Sequence, residues 1–408
     1  MYFQLFKRVR CVWAVCILVA LSAGCSLTSP SENGGTGPVP GNLRIVTWNV
    51  QALFDGNQAG TEYDEYLNEA GWGSDKFSAR VSALSRAIAS IDGGPPDILA
   101  LEEIENSQCL DALAKGELSK YGYGWTYFSK NKGSSLGLGV LSRYPFTETR
   151  VHGITWDQQT APRPVLELWL RPQDTPLVLF VCHWKSKLGG DDQTETLRRA
   201  SARVILRRIV EIRRDYPKIP GVIMGDLNEN HDEFYRRDGK VLSALMPDAP
   251  EAAEYARGTS LHVARGTSLQ VARGTSLQVA GLYAGSSPTE VGPAKAGTGS
   301  TAESTGDFLI ISGEKPPSAA NFDGLAFYSP WGQELLNGSY YYKNNWETID
   351  HFLLTEQFFD QAGWDFSFCR VLDQEPFVNA KGVPSSYSPR TGQGLSDHLP
   401  LMLVLSKQ

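Results

Sequence analysis

The chain has 408 residues, 41% hydrophobic and 20% charged, a globular composition with room for one large domain or two ordinary ones. Its net charge of -7 excludes a protein that coats nucleic acid by bulk electrostatics, though not an enzyme with a local basic groove beside an acidic metal site. At the start, Lys7, Arg8 and Arg10 precede the apolar run Val12 to Ala20, too short to span a membrane alone, which predicts an export signal over residues 1–24.

The next residues, Leu21-Ser22-Ala23-Gly24-Cys25, resemble the lipobox of bacterial lipoproteins, with Cys25 as the lipidated residue. They depart from it in carrying Ser22 where a large aliphatic residue is usual; the alternative is a plain secretory signal cleaved nearby. Residues 25–41, rich in Ser, Gly, Pro and Asn, read as a flexible tether. The expected location is the periplasm or cell surface, anchored to a bacterial membrane by lipid. Beyond the signal and Cys25, Cys109, Cys182 and Cys369 are widely spaced and show neither a disulfide framework nor zinc spacing; Cys182, in an apolar run, reads as a small core residue.

From residue 42 to 408 the pattern is that of one domain. Leu43 to Val50 predicts a strand, and Asp75 to Ile91 a helix with Val81, Leu84, Ile88 and Ile91 on one face. Ile98 to Leu101, Leu138 to Leu141, Leu166 to Leu170 and Leu177 to Cys182 predict further strands. Asp192 to Tyr216 is the clearest helix, with Asp192 and Glu195 as a plausible capping start and Pro217 as its stop. Its arginines, Arg198, Arg199, Arg203, Arg207, Arg213 and Arg214, lie largely opposite the apolar stripe and read as a solvated surface rather than a nucleic-acid-binding face. An eight-residue repeat, Ala256-Arg257-Gly258-Thr259-Ser260-Leu261-His262-Val263, recurs from Ala264 and from Ala272, and 247–306 reads as a largely disordered, low-complexity insertion.

Polar residues repeatedly follow apolar runs. Asp226 and Asn228 follow Gly221 to Met224, His183 follows Val178 to Cys182, and Asp397-His398 precede Leu401 to Leu405. Asn49 ends the first strand, where a turn former is the commoner role. Glu102 and Glu103 follow Leu101, and Glu103 shares its face by alternation. A lone histidine such as His183 is usually a hydrogen-bonded core residue, and Arg163, between two prolines, is commonly a surface salt-bridge partner. Asp350, beside an apolar run, wants a donor, for which His398 is a candidate. Carboxylates at buried strand ends usually accompany a hard cation and a phosphate.

Taken in order, Asn49, Glu103, Arg163, His183, Asp226/Asn228, Asp350 and Asp397/His398 resemble the endonuclease/exonuclease/phosphatase superfamily, the fold of pancreatic deoxyribonuclease. The resemblance spans about Leu43 to Leu405, with the repeat region as an insertion. It implies an α+β fold: two packed mixed β-sheets flanked by helices, a four-layer α/β sandwich. It also implies metal-assisted phosphoester hydrolysis with magnesium, or manganese or calcium in its place. Glu103 looks like the principal metal ligand with Asn49 beside it, and Asp397 like a further metal-site carboxylate. Asp226 looks like the residue that orients or deprotonates water, and Asn228 like a phosphate-oxygen donor. Asp350 would orient His398, His183 would be the second catalytic histidine, and Arg163 would grip a phosphate. Gln51 stands where some abasic-site enzymes have an acidic ligand, and His351 where many members have Tyr or Arg; a contact with substrate and a cover over the site are both open to it. An assisting tyrosine is expected, with Tyr123, Tyr127 and Tyr144 as candidates.

The run His183-Trp184-Lys185-Ser186-Lys187 is similar to a segment of secreted bacterial nucleases, and its lysines would suit a polyanionic backbone. The leading expectation is an exported magnesium-dependent nuclease, with nucleic acid as substrate, the membrane met through the lipid anchor, and no sign of an obligate protein partner. The alternatives are a phosphatase or phosphodiesterase acting on inositol phosphates or phospholipids, and a surface binding protein without turnover.

Overall fold

The computed structural model describes residues 40–157, 159–266 (side chains to 259), 306–335 and 337–408. The expected export signal, Cys25 and nearly all of the tether lie outside these residues, as do most of the second repeat and all of the third. Among the described residues no helix is long and apolar enough to cross a membrane.

Alternation of apolar side chains along the strands builds two large mixed sheets. The first runs, edge to edge, Trp364–Val371, Leu401–Lys407, Asn42–Leu53, Ile98–Ile104, Gly137–Ser142 and Trp125–Ser129. The second runs Leu245–Pro247, Leu309–Ser312, Ala326–Tyr328, Asp350–Leu354, Gly221–Asp226, Leu177–His183, Val165–Leu170 and Phe146–His152. Leu43, Ile45, Ile98 and Ala100 of the first sheet meet Leu166, Leu179, Met224 and Phe352 of the second in one buried core. The opposite faces take helices. Ser74–Ala89 and Ser107–Lys115 pack on Val46, Trp48, Leu99 and Leu101, and Asp191–Asp215 packs on Phe180, Cys182, Ile223 and Leu353. Two sheets with helices outside are thus the observed architecture. Cys109, Cys182 and Cys369 are all buried and unpaired.

Three expectations need correction. The long helix starts at Asp191 without a side-chain cap, because its N-cap is Gly190, which has no side chain; the Glu195 carboxylate accepts from Arg198 Nη2 at 2.6 Å. Its arginines are not simply solvated: Arg198 is wholly buried between Glu195 and Glu229, while Arg199 and Arg203 reach Asp307, Arg208 reaches Glu167 and Arg213 reaches Glu356. Finally, the segment 247–306 is not disordered from its start. Leu245–Pro247 is a strand and Pro250–Gly266 a helix, with Ala252 and Ala256 buried against Phe234, Leu242 and Met246. Alanine-rich sequence was legible as low complexity, yet alanine is the strongest helix former and its methyls suffice for a shallow face.

Glu167 shows how the long helix is fixed. Leu166 and Leu168 point into the core between the sheets, so Glu167 points out beneath the helix, fully buried. Arg208 Nε donates to it at 2.8 Å, Trp169 Nε1 at 2.6 Å, and His152 Nε2 lies at 2.7 Å. Burial alone would raise this carboxyl, but these hydrogen bonds outweigh it and hold it at about 2. A depressed folded-state value stabilises above the unfolded carboxylate value and loses that stability as pH falls toward the folded one. Glu167→Gln should therefore cost about 2 kcal/mol at pH 7. In urea melts from pH 7 to about pH 2.5 it should also flatten the fall in stability that the parent shows below roughly pH 4.5.

Candidate active site

Strand parity brings the site together. In the second sheet Val181, Met224 and Phe352 face the first sheet, so His183, Asp226 and Asp350, each two residues away on its strand, face the same way at one edge. Asp226 pairs in register with His183 on one side and Asp350 on the other. The approach of the two strands depends on Gly225, whose φ is +123° and whose added Cβ would lie 2.0 Å from the Cys182 carbonyl oxygen. Only glycine allows the strands to approach this closely just before Asp226.

Asp226 is the hub. Its Oδ2 accepts from Asn49 Nδ2 at 3.0 Å, and its Oδ1 accepts from the Asn228 backbone N–H at 2.9 Å. His183 Nε2 lies 3.4 Å from Oδ2 and His398 Nε2 lies 4.0 Å from it. Asp350 Oδ2 sits 2.8 Å from His398 Nδ1 and accepts the Ser339 hydroxyl at 2.6 Å. Asn228, at φ +50°, turns its Nδ2 to the Trp184 carbonyl at 3.2 Å.

The two histidines are driven apart electrostatically. Burial pushes His183 well below the usual imidazole range, and the cations Arg163 and His398 push it further. Burial would also lower His398, but Asp350 and then Asp226 and Asp397 outweigh it and hold it well above that range. Burial raises Asp226 to about 7, His398 opposing and Asp350 adding. A neutral histidine, a cationic histidine and a carboxylate able to take a proton near neutrality thus surround one point.

Glu103 arrives by a different route from that expected. Leu101 faces the helices, so alternation would put Glu102, not Glu103, on the face toward the second sheet. Glu102 is indeed fully buried, accepting the Thr47 hydroxyl at 2.7 Å, with burial holding it well above the usual carboxylate range. Glu103 sits at φ +66° in a bulge that breaks the register between Glu102 and Ile104. This turn brings its Oε1 to 3.3 Å from Asn49 Nδ2 and its Oε2 to 2.9 Å from the Ala52 N–H. Burial raises Asp397; His398 opposes, and the Glu103 carboxylate adds to the rise.

Two groups of ligand atoms can be weighed for a metal. Ligand atoms of Asp226, Asp350 and His398 lie within 4.8 Å of one another. That group is already closed by the His398–Asp350 hydrogen bond, with the imidazolium as its cation. Glu103 and Asp397 form no ion pair among the described residues, and their mutual repulsion is what a hard divalent cation relieves. Asn49 joins them with its amide; its Oδ1 already accepts the Gln51 N–H at 3.0 Å and keeps a second lone pair. The residues present fit a hard cation on the Glu103–Asp397 side.

Other expected residues land as follows. Arg163 makes no ion pair among the described residues, and its buried Nε has no partner. It lines a concavity of about 260 Å³ with Tyr63 and the 133–136 loop. Gln51 is turned away from the carboxylates, accepting the Tyr387 N–H at 2.7 Å. His351, one residue out of phase with Asp350, is fully buried on the other face, its Nε2 2.8 Å from the Glu229 carbonyl, and so neither covers the site nor is free for substrate. The lysines are not presented to a polyanion: Lys187 pairs with buried Glu233 at 2.6 Å, and Lys185 Nζ donates to the Ser186 and Leu188 carbonyls at 3.0 Å. None of the three tyrosine candidates is at the site. Tyr123 donates to the Pro96 carbonyl at 2.7 Å, and Tyr127 and Tyr144 pack on the core between the sheets. Tyr63 lines the concavity beside Arg163, and Tyr340 is stacked on the His398 ring at 4.5 Å. Tyr340 was invisible from sequence because its hairpin belongs to neither large sheet.

A model of the Endonuclease/Exonuclease/phosphatase family matches residues 44–267, more than half of the chain. The chain belongs to this family. Family members are hydrolases of phosphoester bonds and are typically dependent on divalent metal. Among solved structures, the chain is similar to the human Nocturnin catalytic domain with bound sulfate (15% identity, 90% of this chain and 94% of that one, TM-score 0.47). It is also similar to truncated Caenorhabditis elegans TDP2 (12% identity, 90% and 97%, TM-score 0.46) and to a family protein from Bacteroides thetaiotaomicron (13%, 90% and 95%, TM-score 0.45). No curated protein matches the chain.

The two adjacent glutamates of this family member provide a test. Glu103→Gln should weaken magnesium binding, followed by calorimetric titration, by at least about tenfold. Glu102→Gln should change it less than about twofold, because a carboxyl already held neutral loses little on becoming an amide.

Proposed function

We propose that the chain is an exported, lipid-anchored, magnesium-dependent nuclease that hydrolyses phosphodiester bonds of DNA or RNA. The observation that carries the reading is the arrangement around Asp226: His183 Nε2 at 3.4 Å, His398 Nε2 at 4.0 Å and an Arg163 without an ion pair among the described residues, beside a carboxylate pair fit for a hard cation. Magnesium held by Glu103, Asp397 and Asn49 would supply Lewis-acid polarisation of a phosphoryl oxygen. Asp226, fixed by Asn49 and the Asn228 N–H, takes the proton of the attacking water as the water oxygen bonds to phosphorus. His398 Nε2 lies too far from Asp226 for a hydrogen bond, so its proton is open to a phosphate oxygen; Asp350 holds the ring through Nδ1. When the P–O bond breaks, the leaving oxygen takes the proton that an imidazolium can give. His183 stays neutral and can hydrogen-bond a phosphoryl oxygen, while Arg163 and the Asn228 amide complete the phosphate cradle.

The signal-like N-terminus with Cys25 supports export and a membrane anchor.

Incubation with plasmid DNA, RNA, inositol phosphates and sphingomyelin should show magnesium-dependent cleavage of a nucleic acid, abolished by EDTA. Turnover confined to inositol phosphates or sphingomyelin would overturn the nuclease reading. In the same assay, His398→Ala should cost at least about 100-fold in kcat. Asp350→Asn should also lose turnover, and adding it to His398→Ala should cost little more, because paired residues are not additive. A double variant showing the product of both losses would mean that Asp350 acts independently of His398.

A further inference from the structure

The hairpin Tyr340–Tyr342/Asn345–Glu347 is outside both large sheets, yet it is tied to the site. The Tyr340 backbone bridges to His398, the Leu399 N–H donates to the Ser339 carbonyl at 2.7 Å, and the Ser339 N–H donates to the Glu347 carbonyl at 2.9 Å. Glu347 is held from outside by Asn230 Nδ2 at 2.6 Å and Arg236 at 2.9 Å. The tip is a two-residue turn with Lys343 at φ +48° and Asn344 at φ +65°, the positive pair that suits a tight hairpin. Tyr340 and Tyr342, two residues apart on one strand, project from the same face.

Their rings form a ladder. Tyr340 stacks on the His398 imidazole at 4.5 Å and 29°, and Tyr342 stacks on Tyr340 at 6.0 Å and 13°. Tyr342 is 51% exposed, joins none of the buried clusters, and carries Lys343 Nζ 5.0 Å from its ring centroid. An exposed flat ring in line with a catalytic imidazole, with a cation beside it, is what a single strand needs: a stacking surface for a base and a charge for its phosphate. The cation is supplied here, whereas Lys187 is paired with Glu233 and Lys185 Nζ donates to carbonyls of its own loop.

We infer that Tyr342, backed by Tyr340, is a stacking subsite for a nucleobase flanking the scissile phosphate, which makes single-stranded nucleic acid the favoured substrate. This rests on the nuclease reading above. A membrane surface could also meet an exposed tyrosine, but it would not require the ring to be stacked in register with His398.

The test compares kcat/KM of the full chain, with magnesium, on a short single-stranded oligodeoxynucleotide and on a strand of equal length built of abasic sugar-phosphates. The parent should prefer the base-bearing strand. Tyr342→Ala should cut that preference about tenfold, and Tyr342→Trp should keep it. A parent that cleaves both strands equally, or a Tyr342→Ala preference equal to the parent's, overturns the subsite while leaving the nuclease reading standing. Hydrolysis of bis(4-nitrophenyl) phosphate with neither strand cut overturns the subsite and the nuclease reading together, but not the phosphoesterase chemistry. Tyr342→Ala that loses binding to anionic phospholipid vesicles while keeping the strand preference assigns the ring to a membrane and overturns the subsite.

Discussion

Negative charge gathered at one end of the core between the sheets is the constraint on which the rest depends. Asp226, Asp350, Asp397 and Glu103 converge there, with Glu102 buried beneath them. Unpaired carboxylates in such a setting either protonate or find cations. The fold uses both outcomes. Glu102 is held neutral, Asp226 is poised near neutrality, and His398 is kept charged by Asp350. What is left over, on the Glu103–Asp397 side, is the charge that a divalent cation would compensate. His183, only 3.4 Å from Asp226, is nevertheless pushed below the usual imidazole range by its burial, with the nearby cations Arg163 and His398 adding to the effect.

Such a site must be held stiffly, because its own members repel one another. The clamp is built from backbone and buried cations. Gly225 lets the strand bearing Asp226 press on the Cys182 carbonyl, and Arg198 joins the long helix to Glu229, just past Asn228. On the other sheet Arg80 donates from one nitrogen to the Val50 and Leu395 carbonyls, at 2.5 Å each, with its guanidinium 3.8 Å from the Tyr387 ring centre. Those carbonyls flank Asn49 and the Asp397-His398 pair, so one buried cation fixes both sides of the proposed metal site. Burial lowers Arg80 to about 10, which still leaves it charged at neutral pH.

Much of this was legible in the sequence because strand ends carry their own signal. A polar residue that ends an apolar run, two positions from a core residue, has nowhere to point except along the edge of the core; His183, Asp226 and Asp350 follow that rule. Glu103 does not, since its place depends on a non-glycine residue at positive φ, which alternation cannot show. Arg198 could not be told from its exposed neighbours, because its burial is decided by Glu229, 31 residues away. Tyr340 had no flanking apolar run to mark it. The helix Pro250–Gly266 was hidden by a composition that reads as linker until its alanines find Phe234 and Met246.

The spent arginines and lysines bear on how a negatively charged protein could handle a polyanion. Arg199, Arg203, Arg208, Arg213 and Lys187 are all committed to carboxylates of the same chain. With a net charge of -7, the chain as a whole does not attract nucleic acid at long range, and these side chains are not free to release counterions. On the nuclease reading proposed above, recognition would be short-ranged: Arg163 on a phosphate, a cation between carboxylates, and a flat aromatic surface beside His398. On that reading, capture of duplex backbone would be weak and engagement of unpaired bases selective, because stacking does not need a basic groove and duplex binding does.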